Sequence, residues 1–377
     1  MSTTTTEAWV ARPESLLALE TVHYAPLAAD EVLVDIVAAS VCHSDVRAAQ
    51  GIFHMKPPMI LGHEGSGYVR EVGSGVEYVQ PGDAVILAFT SCGSCRRCEV
   101  GKEPYCDRMF ELNFTGRRDD GGEVVSDGQG KGVNGLFFGQ SSMSRIALVK
   151  ERSCVKVDGE VDRGDLKLFA SLGCGVQTGA GAIMNIAKPP PGSTIAIFGG
   201  GAVGLSAIMA ARATKPASLV LVDNSETKLA MIPQELLEGV QVLNSASLSP
   251  ENLVSKLKSL TPSSRGFDYA LDCVGHEAVT TAAYLSLDKL GTVITIGGSA
   301  TAKPAFATER TLVNGLTIRG THQGDSVPRV MIPELIRLWR DGSFPFDLLL
   351  TKFEFEELQK AIDEMHAGRV IKPLLVV

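Results

Sequence analysis

The segment Thr194-Ile-Ala-Ile-Phe-Gly-Gly-Gly-Ala-Val-Gly204 joins a short apolar run to a G-x-G-x-x-G pattern, and an alanine-rich stretch follows it. The apolar run predicts a buried strand and the alanine-rich stretch predicts a helix. In that context Gly199 permits a tight turn, Gly201 lets the backbone approach a pyrophosphate, and Gly204 allows close packing of helix on strand. The motif therefore predicts a dinucleotide site at a helix N-terminus. The alternative is a glycine-rich strand–helix turn without a ligand.

An acidic residue follows the next predicted strand, residues 218–222. This residue, Asp223, lies about 20 positions after the glycines, where such motifs place a ribose-binding acid. A carboxylate there accepts hydrogen bonds from both ribose hydroxyls and repels a 2′-phosphate, so the sequence favours NAD over NADP. We also assign Val203, which lies between the second and third glycines of the pattern, to the dinucleotide site.

Strands alternate with helices from about residue 179, whereas the earlier part consists of short strands and turns. We therefore predict an α/β protein with three parts. They are an irregular, mostly antiparallel β domain (1–178), a doubly wound parallel-sheet Rossmann domain (179–324) and a C-terminal return to the first domain (325–377). Predicted strands cover residues 32–36, 67–72, 84–89, 194–198, 218–222, 269–272, 291–297, 316–319 and 374–377; predicted helices include 202–213, 329–340 and 354–365; residues 107–139 are predicted to form a long surface loop or lobe.

Composition and charge narrow the class of protein. The chain has 377 residues and a mass of 40.0 kDa, with 45% hydrophobic and 21% charged residues, which excludes a disordered chain. A net charge of −8 argues against nucleic acid as the main partner. No apolar run approaches the ~20 residues of a membrane span, and the N-terminus does not resemble a secretion signal. We therefore expect a cytoplasmic protein without a membrane partner.

Four cysteines are clustered: Cys92, Cys95, Cys98 and Cys106. In a cytosolic protein such a cluster more often binds a metal than forms disulfides. Four thiolates bind zinc tetrahedrally and leave no position for water, so we predict a structural zinc in a lobe at about residues 91–107. The usual iron–sulfur run places its fourth cysteine closer to the third. Disulfides or free thiols are the remaining alternatives.

Three further motifs carry possible metal donors: Cys42-His43-Ser44-Asp45, Gly62-His63-Glu64-Gly65, and Cys174 between two glycines. On their spacing alone these residues have two interpretations. They share a metal, or the histidine is a turn residue and the cysteines are small buried apolar residues.

Together the motifs resemble those of the zinc-dependent medium-chain alcohol dehydrogenases, over essentially the whole chain. The segments Phe137-Phe138-Gly139-Gln140-Ser141-Ser142, 172–181 and Phe344-Pro345-Phe346-Asp347 look like the aryl- (benzyl-) alcohol dehydrogenase branch. The resemblance implies a GroES-like catalytic domain, two zinc ions per chain and NAD(H). It also implies interconversion of a primary alcohol and its aldehyde by hydride transfer.

The resemblance assigns roles to the scattered donors. Cys42, His63 and Cys174 would hold a catalytic zinc whose fourth position stays open, an arrangement known from alcohol dehydrogenase itself. Glu64 would lie behind the metal as an alternative ligand or an electrostatic modulator. Asp45 would orient His63.

The resemblance also implies a proton path. Ser44 would take the alcohol proton, and His43 would lie at the cofactor pyrophosphate. Where the family carries a relay histidine, this chain has Arg47, which stays protonated. The proton would therefore leave directly to water or through His43.

Other residues are expected to contact the cofactor or substrate. By resemblance, Thr178 would contact the nicotinamide amide, Lys228 the adenosine ribose and Lys372 the phosphates. An apolar pocket that favours aromatic or allylic alcohols is predicted to be lined by Phe89, Phe114, Phe137 and Phe138, with ordinary core packing as the alternative.

Two other functions compete with this interpretation. An S-(hydroxymethyl)glutathione dehydrogenase would need a cationic pocket, for which Arg117, Arg118 and Arg145 are candidates. A non-catalytic NAD-sensing protein on the same fold would have no need of an open zinc site. Relatives associate through the nucleotide domain, which implies a homodimer or homotetramer.

Overall fold

Antiparallel sheets form the first part of the chain in the computed structural model, which describes residues 3–13, 16–299 and 301–377. Their strands are β1 (Thr4–Ala11), β2 (Leu17–Tyr24), β3 (Glu31–Ser40), β4 (Met59–Ile60), β5 (Gly65–Val72), β6 (Ala84–Leu87), β7 (Val125–Asp127), β8 (Gly132–Val133), β9 (Ile146–Lys150) and β10 (Cys154–Lys156). One sheet has the order β4-β1-β2-β7-β8. In the other, β3 pairs with both β5 and β9, and nine of its ten residues are buried, which makes it the central strand.

A six-stranded parallel sheet forms the second part. Its strands are β11 (Thr194–Phe198), β12 (Ser218–Asp223), β13 (Gln241–Asn244), β14 (Phe267–Asp272), β15 (Leu287–Thr295) and β16 (Thr317–Gly320). They lie in the order β13-β12-β11-β14-β15-β16. The chain thus winds outward from β11 to both edges, which is the dinucleotide-binding topology, and the predicted fold class is confirmed.

The C-terminal strand returns to the first part of the chain. It forms β18 (Lys372–Val376), which pairs antiparallel with β3 and parallel with β17 (Leu350–Glu354). The indole nitrogen of Trp9 donates to the Phe355 carbonyl at 2.8 Å, which ties the two ends of the chain together. A helix predicted to start at residue 354 starts instead at Leu358, because residues 350–354 continue as β17.

Helices cover the parallel sheet and join it to the β domain. They are α1 (His43–Ala49), α2 (Arg96–Glu99), α3 (Met109–Phe114), α4 (Arg163–Phe169), α5 (Gly175–Gly181), α6 (Ala202–Arg212), α7 (Glu226–Met231), α8 (Gln234–Leu237), α9 (Pro250–Ser259), α10 (Glu277–Leu285), α11 (Thr308–Asn314), α12 (Pro328–Arg340) and α13 (Leu358–His366). Helix α5 packs tightly on α6, since a Cβ at Gly179 would lie 1.9 Å from the Val203 carbonyl oxygen. This contact brings the start of α5 close to the glycine turn.

Residues 107–139 are more ordered than the predicted surface loop. They contain α3, β7 and β8, and β7 pairs with β2. Phe114 and Phe137 are buried in this segment. Of the two predicted possibilities, a surface loop or a lobe, the surface loop is wrong. Glycine and charge dominate the local composition, whereas a few widely spaced apolar residues anchor the segment.

The charged run at 117–120 is exposed at three positions and half-buried at Arg118. Arg118 donates from Nε and Nη2 to the buried Glu31 carboxylate at 2.9 and 2.7 Å. Burial alone would raise the pKa of Glu31, but these bonds and the nearby Lys150 lower it below its ordinary value. Arg118 therefore fastens the segment to β3. Among the described residues, no helix is both long and apolar enough to span a bilayer.

Candidate active site

Cys42, His63 and Cys174 come together although 132 residues separate the first from the last. Each lies where an element begins or ends. Cys42 caps α1 directly after β3, His63 lies between β4 and β5, and Cys174 caps α5. One donor atom from each, together with a carboxylate oxygen of Glu64, lies within 4.8 Å of all the others. The fold therefore assembles the donors predicted for the catalytic metal.

Asp45 organises this donor set from behind. Its buried carboxylate accepts from the Cys42 and Gly62 backbone nitrogens at 2.9 and 3.0 Å. Its Oδ1 also lies 3.1 Å from Nδ1 of His63. Asp45 therefore fixes the orientation of the imidazole, as expected of a carboxylate that orients a metal ligand. Burial alone would lower the pKa of His63, but Asp45 and Cys42 raise it well above its ordinary value.

Glu64 and Lys372 form a buried ion pair beside the donors. Lys372 Nζ lies 2.6 Å from Glu64 Oε2 and 3.2 Å from the Val41 carbonyl oxygen. Glu64 Oε1 accepts from the Gly175 backbone nitrogen at 3.1 Å. Burial raises the pKa of Glu64 above its ordinary value despite the nearby lysine. The phosphate contact expected of Lys372 stays a prediction, because its contacts here are with Glu64 and the backbone.

The donor set fits a zinc ion. Nε2 of the buried His63 lacks a hydrogen-bond partner in the described part of the chain, and such a nitrogen is unfavourable unless something binds it. The neighbouring Cys174 sulfur lowers the pKa of Cys42 well below its ordinary value, whereas the Cys42 sulfur and burial raise the pKa of Cys174. A lowered pKa favours the thiolate, the form that binds metals. Two sulfurs and one imidazole are donors that zinc accepts.

The four-cysteine lobe forms a second donor cluster. Ligand atoms of Cys92, Cys95, Cys98 and Cys106 all lie within 4.8 Å of one another, and all four cysteines are free. Backbone N–H groups of Cys92 and Cys95 point at the sulfurs of Cys106 and Cys92, both at 3.3 Å. Burial opposes ionisation, but such N–H groups lower the pKa of Cys92 to about 6. These four sulfurs fit a closed zinc site.

The glycine turn after β11 has the geometry that a pyrophosphate requires. Gly199 has a φ of 105°, and a Cβ at Gly204 would lie 1.8 Å from the Gly199 carbonyl oxygen. A Cβ at Gly201, by contrast, would meet no atom of the described chain within 4 Å. Space is therefore left at the middle glycine, in front of the α6 N-terminus, where an anion is stabilised.

Asp223 ends β12 next to this turn. Its carboxylate oxygens accept from the Gly200 and Ser225 backbone nitrogens at 2.7 and 2.8 Å. Beside it opens a cavity of about 410 Å³, which the sequence analysis did not identify. Apolar side chains contribute to the lining of this cavity, and they include Leu248, Leu253, Val274 and Val279. Only the fold brings these residues from different βα loops together.

The residues predicted for proton and cofactor contacts lie around the same cleft. His43 and Ser44 begin α1, and the His43 ring lies 6.1 Å from that of His366. Arg47, in the same helix, donates to the Gly298 carbonyl at 3.0 Å and so reaches the parallel-sheet domain. Lys228 lies in α7, where its stem runs beside Gly368. The roles expected of these residues stay predictions.

Aromatic rings surround His63. Phe138 stacks on its imidazole at 4.6 Å, and Phe137 meets it edge-on at 5.4 Å. Phe114 contacts Phe138 at 4.9 Å and is itself stacked by Phe53, a residue that the sequence analysis missed. The only local signal for Phe53 was an aromatic residue in a loop that contains Gly51. Phe89, the fourth predicted pocket residue, is buried, and the centroid of its ring lies 6.5 Å from that of His322.

The family models, related proteins and crystal structure that match this chain all describe dehydrogenases. The alcohol dehydrogenase GroES-like domain model matches residues 28–159, and the zinc-binding dehydrogenase model matches residues 202–340. Geraniol dehydrogenase of Castellaniella defragrans is 39% identical, over 96% of this chain and 94% of that protein. S-(hydroxymethyl)glutathione dehydrogenase of Komagataella pastoris is 34% identical, over 98% and 96%. The crystal structure of benzyl alcohol dehydrogenase from Acinetobacter calcoaceticus matches with a TM-score of 0.92 at 33% identity, over 99% of each chain.

Proposed function

Because the chain belongs to the zinc-dependent medium-chain alcohol dehydrogenase family, we propose that it interconverts a primary aromatic or allylic alcohol and its aldehyde with NAD(H). The observation that carries this proposal is the convergence of Cys42, His63 and Cys174 within 4.8 Å. The unpartnered Nε2 of the buried His63 and the space at the nearby glycine turn support it further. The reducing cytoplasm is the proposed location, because all eight cysteines are free and six of them lie in the two donor clusters.

When bound, zinc at the three donors would act as a Lewis acid on the alcohol oxygen, and NAD at the glycine turn would accept the hydride. Asp45 would orient the His63 ring as a metal ligand. The Ser44 hydroxyl, which follows Cys42 by two residues at the start of α1, is proposed to take the alcohol proton. Arg47 cannot accept that proton, because its guanidinium stays charged. Water, or the exposed His43, is the remaining acceptor.

The aromatic cluster supports the proposed substrate class. Phe53, Phe114, Phe137 and Phe138 present ring faces and edges close to His63. Flat unsaturated groups pack well against such rings, whereas a short saturated chain makes fewer contacts with them. The benzyl alcohol and geraniol dehydrogenases among the relatives are named for an aromatic and an allylic alcohol, which is consistent with this selection.

A substrate panel tests the proposed function. We expect kcat/KM for benzyl alcohol, cinnamyl alcohol and geraniol to exceed that for ethanol by roughly a hundredfold, since several apolar contacts are lost with ethanol. Equal values for ethanol and benzyl alcohol would contradict the substrate class. A chain that holds two zinc ions and turns over neither alcohols nor aldehydes would contradict the enzyme itself.

The glutathione-adduct alternative has one relative in its favour and the charge distribution against it. The candidate cations already face acids: Arg118 binds Glu31, and Arg145 binds Glu7 and Glu356. Arg117 lies 3.8 Å from Glu123. Turnover of S-(hydroxymethyl)glutathione in the same panel decides this point. The chain belongs to a family of oxidoreductases, and this membership argues against the alternative of a non-catalytic NAD-sensing protein.

Asp223 is proposed to select NAD. Replacing it with serine removes the charge that would face a 2′-phosphate, so the preference for NAD over NADP should fall by roughly tenfold or more. The measurement is kcat/KM for both cofactors with benzyl alcohol. The matched control is Asp288→Ser, which removes an acid paired with Arg265 outside this cleft and should leave the preference unchanged. An unchanged ratio in Asp223→Ser would place the ribose elsewhere.

We further propose a homodimer formed through the β16 edge of the parallel sheet. All four residues of β16 are exposed at the end of the strand order, and Leu290 and Leu312 nearby are 81% and 82% exposed. An exposed strand edge flanked by apolar side chains is suited to pairing with a second copy.

Leu312→Glu should weaken this dimer by roughly tenfold or more, because it places a charge where a leucine side chain would be buried. Sedimentation across a dilution series measures the effect. Val330→Glu, an equally drastic change at an exposed position of α12, should leave the association unchanged. A Leu312→Glu protein with the wild-type association state would exclude this edge as the interface.

A further inference from the structure

Residues 322–326 form a short segment that crosses from the four-cysteine lobe to α5; we call it the strap. Its backbone is left-handed at three successive residues, with φ of 54° at Gln323, 64° at Gly324 and 51° at Asp325. Two of these are not glycine, and such conformations persist only where the surroundings hold them in place. The strap is therefore kept in a conformation that the chain would not adopt by itself.

The four-cysteine lobe holds one side of the strap. Tyr105, which precedes the last of the four cysteines, donates from its hydroxyl to Asp325 Oδ1 at 2.6 Å and accepts from the His322 backbone nitrogen at 3.3 Å. Lys102 donates to Asp325 Oδ2 at 3.2 Å. Arg319 adds a bond at 2.8 Å. Asp325 is 5% exposed, so its carboxylate is largely shielded from water, while the Lys102 and Arg319 side chains that contact it are 46% and 43% exposed.

Helix α5 holds the other side. A Cβ at Gly324 would lie 2.5 Å from the Thr178 carbonyl oxygen, which means that the two backbones are in direct contact. Asn185, just beyond α5, donates from its side chain to the Gly324 carbonyl at 3.0 Å. Because α5 begins at Cys174, the strap is fixed relative to a donor of the proposed catalytic metal.

Between these two attachments the strap presents Gln323 to the donor set. Its Nε2 lies 3.7 Å from the Cys174 sulfur, and its Oε1 accepts from the Thr178 hydroxyl at 3.4 Å. The side chain is 5% exposed. In this orientation an N–H group points at Cys174, which suits a metal-binding thiolate because a thiolate only accepts hydrogen bonds. An N–H···S bond draws charge from a thiolate and holds its direction.

We propose that Gln323 is a positioning residue that hydrogen-bonds the Cys174 thiolate, and that the four-cysteine lobe keeps it there through Tyr105 and Asp325. This inference rests on the proposed function, since it takes Cys174 to be a metal ligand. The four-cysteine lobe then has a role beyond its own folding. It holds the strap in place, and the strap in turn orients Cys174, one ligand of the open metal site.

The test uses enzyme in which Co²⁺ replaces zinc at the Cys42–His63–Cys174 site, because the sulfur-to-cobalt absorption band reports directly on the thiolates. In Gln323→Leu the Cys174 sulfur loses an N–H donor, so the band should move to longer wavelength. The metal affinity of this site, measured by chelator competition, should fall about 10- to 100-fold. The matched control is Gln359→Leu, at an exposed glutamine of α13, and should change neither quantity.

Tyr105→Phe tests the lobe part separately. It removes one hydroxyl and leaves Gln323 in the sequence, so the band should move in the same direction by a smaller amount. A wild-type band and affinity in Gln323→Leu would overturn the contact with Cys174. A shift in Gln323→Leu without any shift in Tyr105→Phe would overturn the role of the lobe.

Two further measurements keep the test decisive. If circular dichroism shows that Gln323→Leu does not fold, Gln323→Met, which keeps the side-chain length and lacks the N–H, is measured against the same expectations. Benzyl alcohol turnover of the wild-type enzyme is followed in parallel. A failure of turnover overturns the proposed function alone, because the cobalt band reports the Cys174 sulfur whether or not the substrate class is right.

Discussion

Cys174→Ala is expected to reduce the zinc content from two ions to one per chain and to lower kcat/KM by at least roughly a thousandfold. The substitution leaves Cys42 and His63 as donors, and two donors without the third do not define a tetrahedral site. A metal that polarises the substrate oxygen contributes several kcal/mol to the reaction, so its loss dominates any effect of packing. Metal analysis by mass spectrometry and steady-state kinetics measure both quantities.

NADH binding separates this effect from general damage. Because the glycine turn and Asp223 lie on β11 and β12, we expect Cys174→Ala to retain the cofactor affinity, followed by nicotinamide fluorescence. Cys154→Ala is the matched control, since Cys154 is buried in β10 outside both donor clusters. It should keep two zinc ions. Full activity and two zinc ions in Cys174→Ala would show that the metal lies elsewhere.

The fold was predictable where its determinants are local. The strand, the glycines and Asp223 lie within 30 residues and follow the period of one βαβ unit, so they predicted the parallel sheet. The four cysteines were predictable for the same reason, because a closed zinc site can be made by a short loop. Composition was a poorer guide: it predicted a surface loop at 107–139, where Phe114 and Phe137 are buried.

The open metal site could not be derived from spacing. Cys42, His63 and Cys174 are brought together by β3, β5 and α5, whose contacts span more than a hundred residues, and only the family resemblance suggested the set. Gln323 carries no local signal, since its contact with Cys174 depends on the strap and on Tyr105 about 220 residues earlier. Long-range contacts of this kind depend on the whole fold.

Substitutions in the glycine turn can separate the contribution of a glycine to folding stability from its contribution to NAD binding. A large loss of stability is expected for the third glycine of the pattern. In Gly204→Ala the new Cβ would lie 1.8 Å from the Gly199 carbonyl oxygen, so helix α6 must move away from β11. Forcing a buried backbone apart should lower the free energy of unfolding by about 3 kcal/mol or more. NAD affinity should fall as well, because the α6 N-terminus is displaced from the phosphates.

Gly201→Ala provides the contrast. The new Cβ meets no described atom within 4 Å, and the φ of −88° at Gly201 suits any residue, so the melting temperature should stay at the wild-type value. The methyl group nevertheless occupies the space proposed for the pyrophosphate, and NAD affinity should fall by roughly tenfold or more. Calorimetry and NADH fluorescence titration measure the two quantities on both variants. If Gly201→Ala bound NAD as the wild type does, the open space at the middle glycine would have no part in holding the cofactor, and the pyrophosphate would have to lie away from the α6 N-terminus.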